Sequence, residues 1–363
     1  VGEAQEIIKH VALKRRSESS SLFFVACSLL HDVLFCMSMC AAIKIEDYFT
    51  LDNISEVYDK RIRSKSGRGI DRTSVVDFDK DAEGHFEVIR RKCTNSTYRF
   101  SPYLQRLILK GPKKFPRSIS IPTVRDKIVL SILNSVLQDA FPDSVKRELP
   151  NVKVRNLAKA LNKSNGARSL HRVDVEAYYD NIDHEQLFSE LDSSDLASEF
   201  LTLIRRAVRN PTVPEGYHRE DRQNYANKDG KGVPQGLPIS NVLAEIYLKD
   251  TDEVLEKLCF HYDRYVDDIV ALTDPEVDFE GVCQSALKDK DLGLNTDKSD
   301  FCCKDECTIY LGYTISGSDI SVRQSTLEKH LHSISMMFVR LKRDLCASPF
   351  RVRALRSAPN LMF

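Results

Sequence analysis

The sequence predicts an α+β fold, on three observations. Short apolar runs with strand character alternate along the chain with apolar residues at helical spacing. Polar stretches rich in Gly, Pro, Asn and Asp separate them. The chain has 363 residues, 42% hydrophobic and 29% charged, a globular composition with room for one large mixed fold or two or three subdomains.

Each element follows in order. Residues 21–43, SLFFVACSLLHDVLFCMSMCAAI, are long and apolar, but His31 and Asp32 sit mid-segment. A central Asp costs about 3 kcal/mol of membrane insertion, so the segment reads as a buried helix of an N-terminal helical extension over residues 1–46. No membrane partner is expected, and no signal-peptide cleavage pattern stands out. In 63-RSKSGRGIDRTS-74, two glycines in a basic loop permit close backbone approach to a ligand. Residues 118-SISIP-122 alternate as a strand. Residues 123–141 read as a helix with Ile128, Leu130, Ile132, Leu133 and Leu137 on its apolar side. A second strand-to-helix unit starts at Leu170, and Asp183 with Gln186 has capping-box spacing. Residues 209–231 read as a connection or flexible hairpin. Ser240 is a good N-cap for a helix carrying Leu243, Tyr247, Val254 and Leu258 on one side. Residues 258–265 and 269–273 read as hairpin arms, and the basic tail from Ser325 to Phe363 as helical.

Charge and cysteine usage narrow the setting. Lys+Arg and Asp+Glu both number 53, so net charge names no polyanion partner. Residues 86–127, however, hold eleven Lys/Arg against two Asp/Glu, either a polyanion footprint or a solvated basic face. Ten cysteines without regular spacing suggest a reducing compartment, read as cytoplasmic. The cluster Cys302, Cys303 and Cys307 lacks a zinc-finger arrangement.

Three carboxylates carry the chemistry. Asp174 ends an apolar strand, and Asp267 with Asp268 interrupts a second one, at the turn of the 258–273 hairpin. Unpaired charge is avoided in such surroundings. The hairpin turn can lie beside the Asp174 strand, and hard divalent cations take carboxylate oxygens. Two such ions about 4 Å apart can activate a 3′-hydroxyl and stabilise a departing pyrophosphate. An isolated Asp-Asp pair has the plainer reading of a solvated turn.

The surrounding motifs resemble those of prokaryotic reverse transcriptases, the group with intron, retron and phage-defence members. Motif A is similar to 173-VDVEAYYDNID-183, motif B to 232-GVPQGLPISNVLAEIYL-248 and motif C to 265-YVDD-268. Motif D resembles 292-LGLNTDKSDF-301, motif E 309-IYLGYTIS-316, and the fingers segment 110-KGPKKFPRSISIPTVRDKIV-129. The likeness runs from about residue 47 to 320.

That resemblance implies a right-hand polymerase fold: fingers over 47–165, a palm of antiparallel sheet on helices over 166–318, and the start of a helical thumb over 319–363. It implies RNA-directed DNA synthesis, with Asp174, Asp267, Asp268 and the Val175 carbonyl holding two Mg²⁺ ions, or Mn²⁺ in their place. Lys298 is then a general acid toward pyrophosphate, with an exposed lysine as the alternative. Lys110 and Arg117 would grip the triphosphate, Lys113 and Lys114 being rivals of Lys110. Tyr179 would select deoxynucleotides by colliding with a 2′-hydroxyl, and Gln235 and Gly236 would lie under the template–nucleotide pair. Tyr310, Leu311 and Gly312, with Tyr313, resemble the primer grip.

The implied partners are an RNA template, in particular a structured non-coding RNA, a DNA or RNA primer and deoxynucleoside triphosphates. Self-association through residues 1–44 is open. YVDD stands where YADD is usual, and Val suits a strand. Retron-type signatures and maturase, endonuclease or integrase regions are not visible, which fits the defence-associated or "unknown group" enzymes and an antiphage role. Template-independent DNA synthesis, a retron- or intron-type enzyme, RNA synthesis and a non-enzymatic RNA-binding scaffold are the competing readings.

Overall fold

The computed structural model describes residues 43–64, 67–109, 115–145, 148–163, 168–225, 229–303, 308–316 and 319–347. The apolar segment 21–42 and Lys110, Lys113 and Lys114 lie outside them, as does Cys307. Among the described residues no helix is long and apolar enough to cross a membrane.

The first half is helical around a hairpin. Helix α1 (Leu51–Val57) starts at an N-cap Thr50 whose side chain accepts from Asn53 N. It runs on into a wider turn at Tyr58–Ile62. Helix α2 (Ala82–Thr94) is followed by β1 (Tyr103–Ile108) and β2 (Arg117–Ile121), which pair antiparallel with Ile108 opposite Arg117. Helix α3 (Val124–Ala140) begins at Thr123, which caps Asp126 N. It is the most buried helix of this half, Ile128 to Leu133 and Val136–Leu137 being almost wholly enclosed. The two glycines expected to approach a ligand meet α3 instead. A Cβ on Gly69 would stand 2.6 Å from Thr123 Cα, and Gly67 O accepts from Lys127 Nζ at 2.7 Å.

Helix α4 (Pro150–Lys163) precedes β3 (Ser169–Asp174). Helix α5 (His184–Asp192) uses Asp183 as N-cap, its carboxylate accepting from Glu185 N and Gln186 N. The reciprocal half of the expected capping box is replaced: Asp183 N donates to the Tyr247 hydroxyl, which donates to Lys290 O at 2.9 Å and lies 3.4 Å from Gln186 Oε1. Helix α6 (Ser198–Val208) leads to β4 (Thr212–Val213), which pairs parallel with β1. The stretch 209–231 is therefore partly ordered as sheet and partly as a 3-10 turn at Arg219–Tyr225.

The expected single helix from Ser240 is two, α7 (Ser240–Tyr247) and α8 (Lys249–Glu256). The break at Leu248 rotates Val254 to the surface. Strands β5 (His261–Tyr265) and β6 (Asp268–Thr273) form the second hairpin. After α9 (Phe279–Lys288) and β7 (Asp300–Cys303) comes a meander of β8 (Thr308–Tyr310), β9 (Tyr313–Ser316) and β10 (Asp319–Val322). Helix α10 (Gln324–Ala347) follows, with residues 348–363 outside the described part.

The central sheet is antiparallel, in the order β5-β6-β3-β7, and both faces are buried. Ile269 and Ala271 join one large core with Val173, while Val270 and Leu272 join a second with Leu170, α4, Tyr310 and Ile315. Side chains alternate between faces, so a strand covered on both sides reads as a continuous apolar run. Fully burying each such side chain contributes about 1.5–3 kcal/mol. β5 breaks that pattern, because Asp263 and Arg264 are both buried. Asp263 is paired with the equally buried Lys153 of α4. Lys153→Ala should strand that carboxylate and lower the unfolding free energy by about 3–5 kcal/mol. Lys153→Met with Asp263→Leu should recover most of the loss in urea titrations, and an equal loss in both variants would remove the pair from the stability account.

Candidate active site

Register brings the three carboxylates together. β3 and β6 align Asp174 opposite Asp268, and one residue on, Val175 N donates to Asp267 O at 3.0 Å. The Val175–Leu294 bridge occupies the other edge of the chain, through Glu176 N to Gly293 O and Asn295 N to Asp174 O. Hydrogen-bonding groups of one extended residue share an edge, so the Val175 carbonyl faces the carboxylate side.

The turn differs from the expected one. Asp268 is the first residue of β6, paired with Tyr265, and the turn is Val266–Asp267. Val266 therefore does not continue the strand: its φ is 60°. A β-branched residue in the left-handed region costs about 1–3 kcal/mol and persists where its surroundings hold it. Arg264 supplies the hold. Its guanidinium donates to Val266 O at 3.1 Å and Glu245 O at 3.1 Å, and its Nε donates to Asp252 at 2.7 Å.

The carboxylates carry different loads. Asp174 accepts from Lys298 Nζ at 2.6 and 2.7 Å and from Asn295 Nδ2 at 3.2 Å. Asp268 accepts from Arg172 Nε at 3.1 Å. Burial pushes Asp267 above the usual carboxylate range and the charge of Asp174 adds to this, against its own backbone N–H, Lys298 and Arg117. Burial likewise raises Asp268, opposed chiefly by Arg172. Among the described residues no three His, Cys, Asp or Glu side chains are closed around one point, and Lys298 lies on the Asp174 oxygens. The donor set is nonetheless hard oxygen throughout, on two strand ends in register, with charge held there at a cost. That chemistry fits Mg²⁺ or Mn²⁺.

The other expected residues border this centre. At Ala177 the chain enters the left-handed region, with φ 45° and ψ 38°, and turns from β3 into the short helix Tyr178–Asn181. Tyr178 is buried and donates to Ala244 O. Tyr179 is half-buried, and its hydroxyl donates to Asn241 Oδ1 at 2.7 Å. Arg117 is exposed at the start of β2, near enough for its charge to act on both Asp267 and Tyr179. The 232–236 loop is fastened by Gly232 N to Ile182 O, Val233 N to Tyr179 O and Ser120 N to Gln235 O, at 2.7–2.8 Å. Gly236 has φ 97°, and a Cβ there would meet Ile119 Cγ2 at 2.7 Å. The glycine thus serves close packing on β2.

The Leu311–Gly312 turn joins β8 to β9 with φ of 48° and 84°, the positive pair of a tight hairpin. Tyr310 points into the second core and is fully enclosed, leaving the turn as the accessible part of this trio. Sequence reading missed Arg172, Arg264, Asn241 and Asn295. Arg172 carried a signal, standing two residues before Asp174 on the same strand face. The other three act through tertiary contacts.

The reverse transcriptase (RNA-dependent DNA polymerase) family matches residues 108–315, which include every one of these positions, and the chain belongs to that family. It is similar to the uncharacterized 91 kDa protein in the cob intron of Schizosaccharomyces pombe, 29% identical over 176 residues, 46% of this chain and 20% of that protein. It is also similar to the group II intron-encoded protein LtrA of Lactococcus lactis subsp. cremoris, 27% identical over 206 residues, 55% of this chain and 33% of that one. The chain thus spans a fifth to a third of the length of these relatives. Among solved structures, apo telomerase from Candida tropicalis truncated from its C-terminal domain gives a TM-score of 0.45 at 15% identity, over 61% of this chain and 56% of that one.

Two outcomes check this geometry. Gly236→Ala should cost about 1–3 kcal/mol by thermal unfolding, and an unchanged Tm would mean that β2 gives way freely. Asp267 is raised when folded, so its stabilising contribution is complete below the unfolded carboxylate range and lost as pH rises through the folded value. In metal-free buffer, Asp267→Asn should therefore gain in Tm relative to the parent between pH 4 and pH 8; a constant difference would contradict the assigned burial.

Proposed function

We propose that this chain catalyses RNA-directed DNA synthesis by two-metal nucleotidyl transfer, within a fingers, palm and thumb arrangement close to 47–165, 166–318 and 319–363. The observation that carries the reading is the convergence of Asp174, Asp267 and Asp268 at the β3 and β6 ends, with Arg117 and Tyr179 bordering them. Asp174, Asp267, Asp268 and the Val175 carbonyl would hold the ions, whose chemistry when bound is to acidify a primer 3′-hydroxyl and neutralise developing phosphate charge.

The remaining work belongs to side chains. Arg117 can fork onto phosphate oxygens of the nucleotide, a task that Lys110 would share. Lys298 neutralises Asp174 and would exchange that carboxylate for the departing pyrophosphate, to which its ammonium can give a proton. Tyr179, with its ring fixed through Asn241, fills the space of a 2′-hydroxyl. Gln235 and Gly236 form a floor for the template–nucleotide pair, and the Leu311–Gly312 turn supports the primer end. The RNA template and intron-type character draw support from the family match and the intron proteins to which the chain is similar.

Asp267→Asn with Asp268→Asn should reduce primer extension on an RNA template by about 10³-fold or more, with the fold retained by circular dichroism. Extension surviving at parental rate would defeat the metal assignment. Tyr179→Ala should raise ribonucleotide incorporation about tenfold or more relative to deoxynucleotide, as measured by single-nucleotide addition; an unchanged ratio removes Tyr179 from sugar selection.

A further inference from the structure

We infer that a four-arginine pocket beside β1 binds backbone phosphates of the unpaired template RNA strand before it reaches Gln235. Arg99, Arg205, Arg206 and Arg209 line a cavity of about 440 Å³ together with Asn210 and Pro211. Arg99 belongs to the basic stretch 86–127, whereas the other three come from α6 and its C-terminal end. The fold thus joins two basic segments about a hundred residues apart in the chain.

The charge in the pocket is largely uncompensated. Arg205 is paired with Asp192. Among the described residues Arg99, Arg206 and Arg209 form no ion pair with a carboxylate. Arg206 is pinned as NH1 donates to Ser96 O at 2.6 Å and Tyr98 O at 3.1 Å. Arg209 lies 5.0 Å over the Phe188 ring. Fixed guanidiniums of like charge around one concavity repel one another, and a phosphate that accepts forked hydrogen bonds from several of them relieves the repulsion.

The extent of the surface points to a strand rather than a small anion. Asn210 and Pro211 also line an adjoining cavity of about 480 Å³ that contains Ser118, Ser120, Tyr225 and Gln235. The connection is continuous through hydrogen bonds: Ser120 N to Gln235 O at 2.7 Å, Ser120 Oγ with Thr212 Oγ1 at 2.7 Å, and Tyr103 N to Pro211 O at 2.9 Å. Asp180 and Asp229 as well as Lys231 line this passage, so the arginines supply the charge. Tyr225 is 40% exposed there, a ring on which an unpaired base can stack. A basic groove continued by an exposed aromatic ring is an arrangement that single strands use.

The choice of the unpaired template rests on the proposed function, which seats the template–nucleotide pair at Gln235. The Leu311–Gly312 turn, assigned to the primer, packs on the second core, whereas the arginine pocket belongs to elements of the first. The pocket and the turn assigned to the primer thus rest on separate cores.

The test compares primer–template duplexes carrying one or about twelve unpaired template nucleotides, a length within the range single-strand grooves occupy. Arg99→Gln with Arg209→Gln should weaken binding of the long-overhang duplex about tenfold by fluorescence anisotropy, with less than about a twofold effect on the short one. The slope of log affinity against log salt should become shallower by about 1.4, since each single-strand phosphate contact contributes about 0.7. Arg99→Lys with Arg209→Lys keeps the charge but not the fork, so it should hold the salt slope near the parental value while losing part of the long-overhang affinity. Equal losses on both duplexes, or none on either, would overturn the pocket. Single-nucleotide addition on the short duplex is read separately: its absence in the parent protein would count against the polymerase reading, while overhang-dependent binding would still stand.

Discussion

The pairing of β3 with β6, Asp174 against Asp268, is the constraint on which the rest of the site depends. It sets two carboxylates side by side at one end of a sheet whose faces are both buried, and it delivers the Asp267 carbonyl to Val175 N one residue further on. A slip of one residue would turn every side chain of β6 to the opposite face. Ile269 and Ala271 would then exchange cores with Val270 and Leu272, and Asp268 would no longer meet Asp174. The two cores and the functional centre are therefore fixed by the same register.

Holding three carboxylates together is unfavourable, and the molecule offsets this with cations placed behind and between them. Arg172 neutralises Asp268 from the same strand pair, Lys298 neutralises Asp174 from the 295–299 turn, and Arg117 acts on Asp267 from β2. Arg264 works differently: it ties down the backbone of the Val266–Asp267 turn. Three of these four cations come from segments distant in sequence from the carboxylate they serve. The centre is correspondingly an assembly of separate elements, each contributing one restraint. On the other face of β5, the Lys153–Asp263 pair fastens α4 to the strand that leads into the turn.

The same economy links the regions that border the centre. The 232–236 loop bonds to Tyr179 on one side and β2 on the other, so the start of the Tyr178–Asn181 helix, the loop and the strand that carries Arg117 are tied together through main-chain hydrogen bonds. β4 extends that connection from Thr212 through β1 to the arginine-lined surface. The surfaces proposed for the nucleotide and for the template strand would therefore share one set of hydrogen bonds.

By itself the sequence determined what alternation, capping and composition encode. The strand ending at Asp174, a hairpin within 258–273 and a helix within 123–141 were legible, because local periodicity and spacing report burial directly, and the order of the motifs was legible through the family resemblance. The tertiary structure decided the remainder. Val266 looked like a strand residue but lies in the turn, since hairpin geometry demands a positive φ that no composition signal announces. Asp263 and Arg264 are charged yet buried, because their partners Lys153 and Asp252 come from α4 and α8. Gly69 reads as making room for a ligand, whereas a Cβ there would meet the Thr123 backbone. A one-dimensional pattern shows which residues leave water, and only the packed fold shows what they meet there.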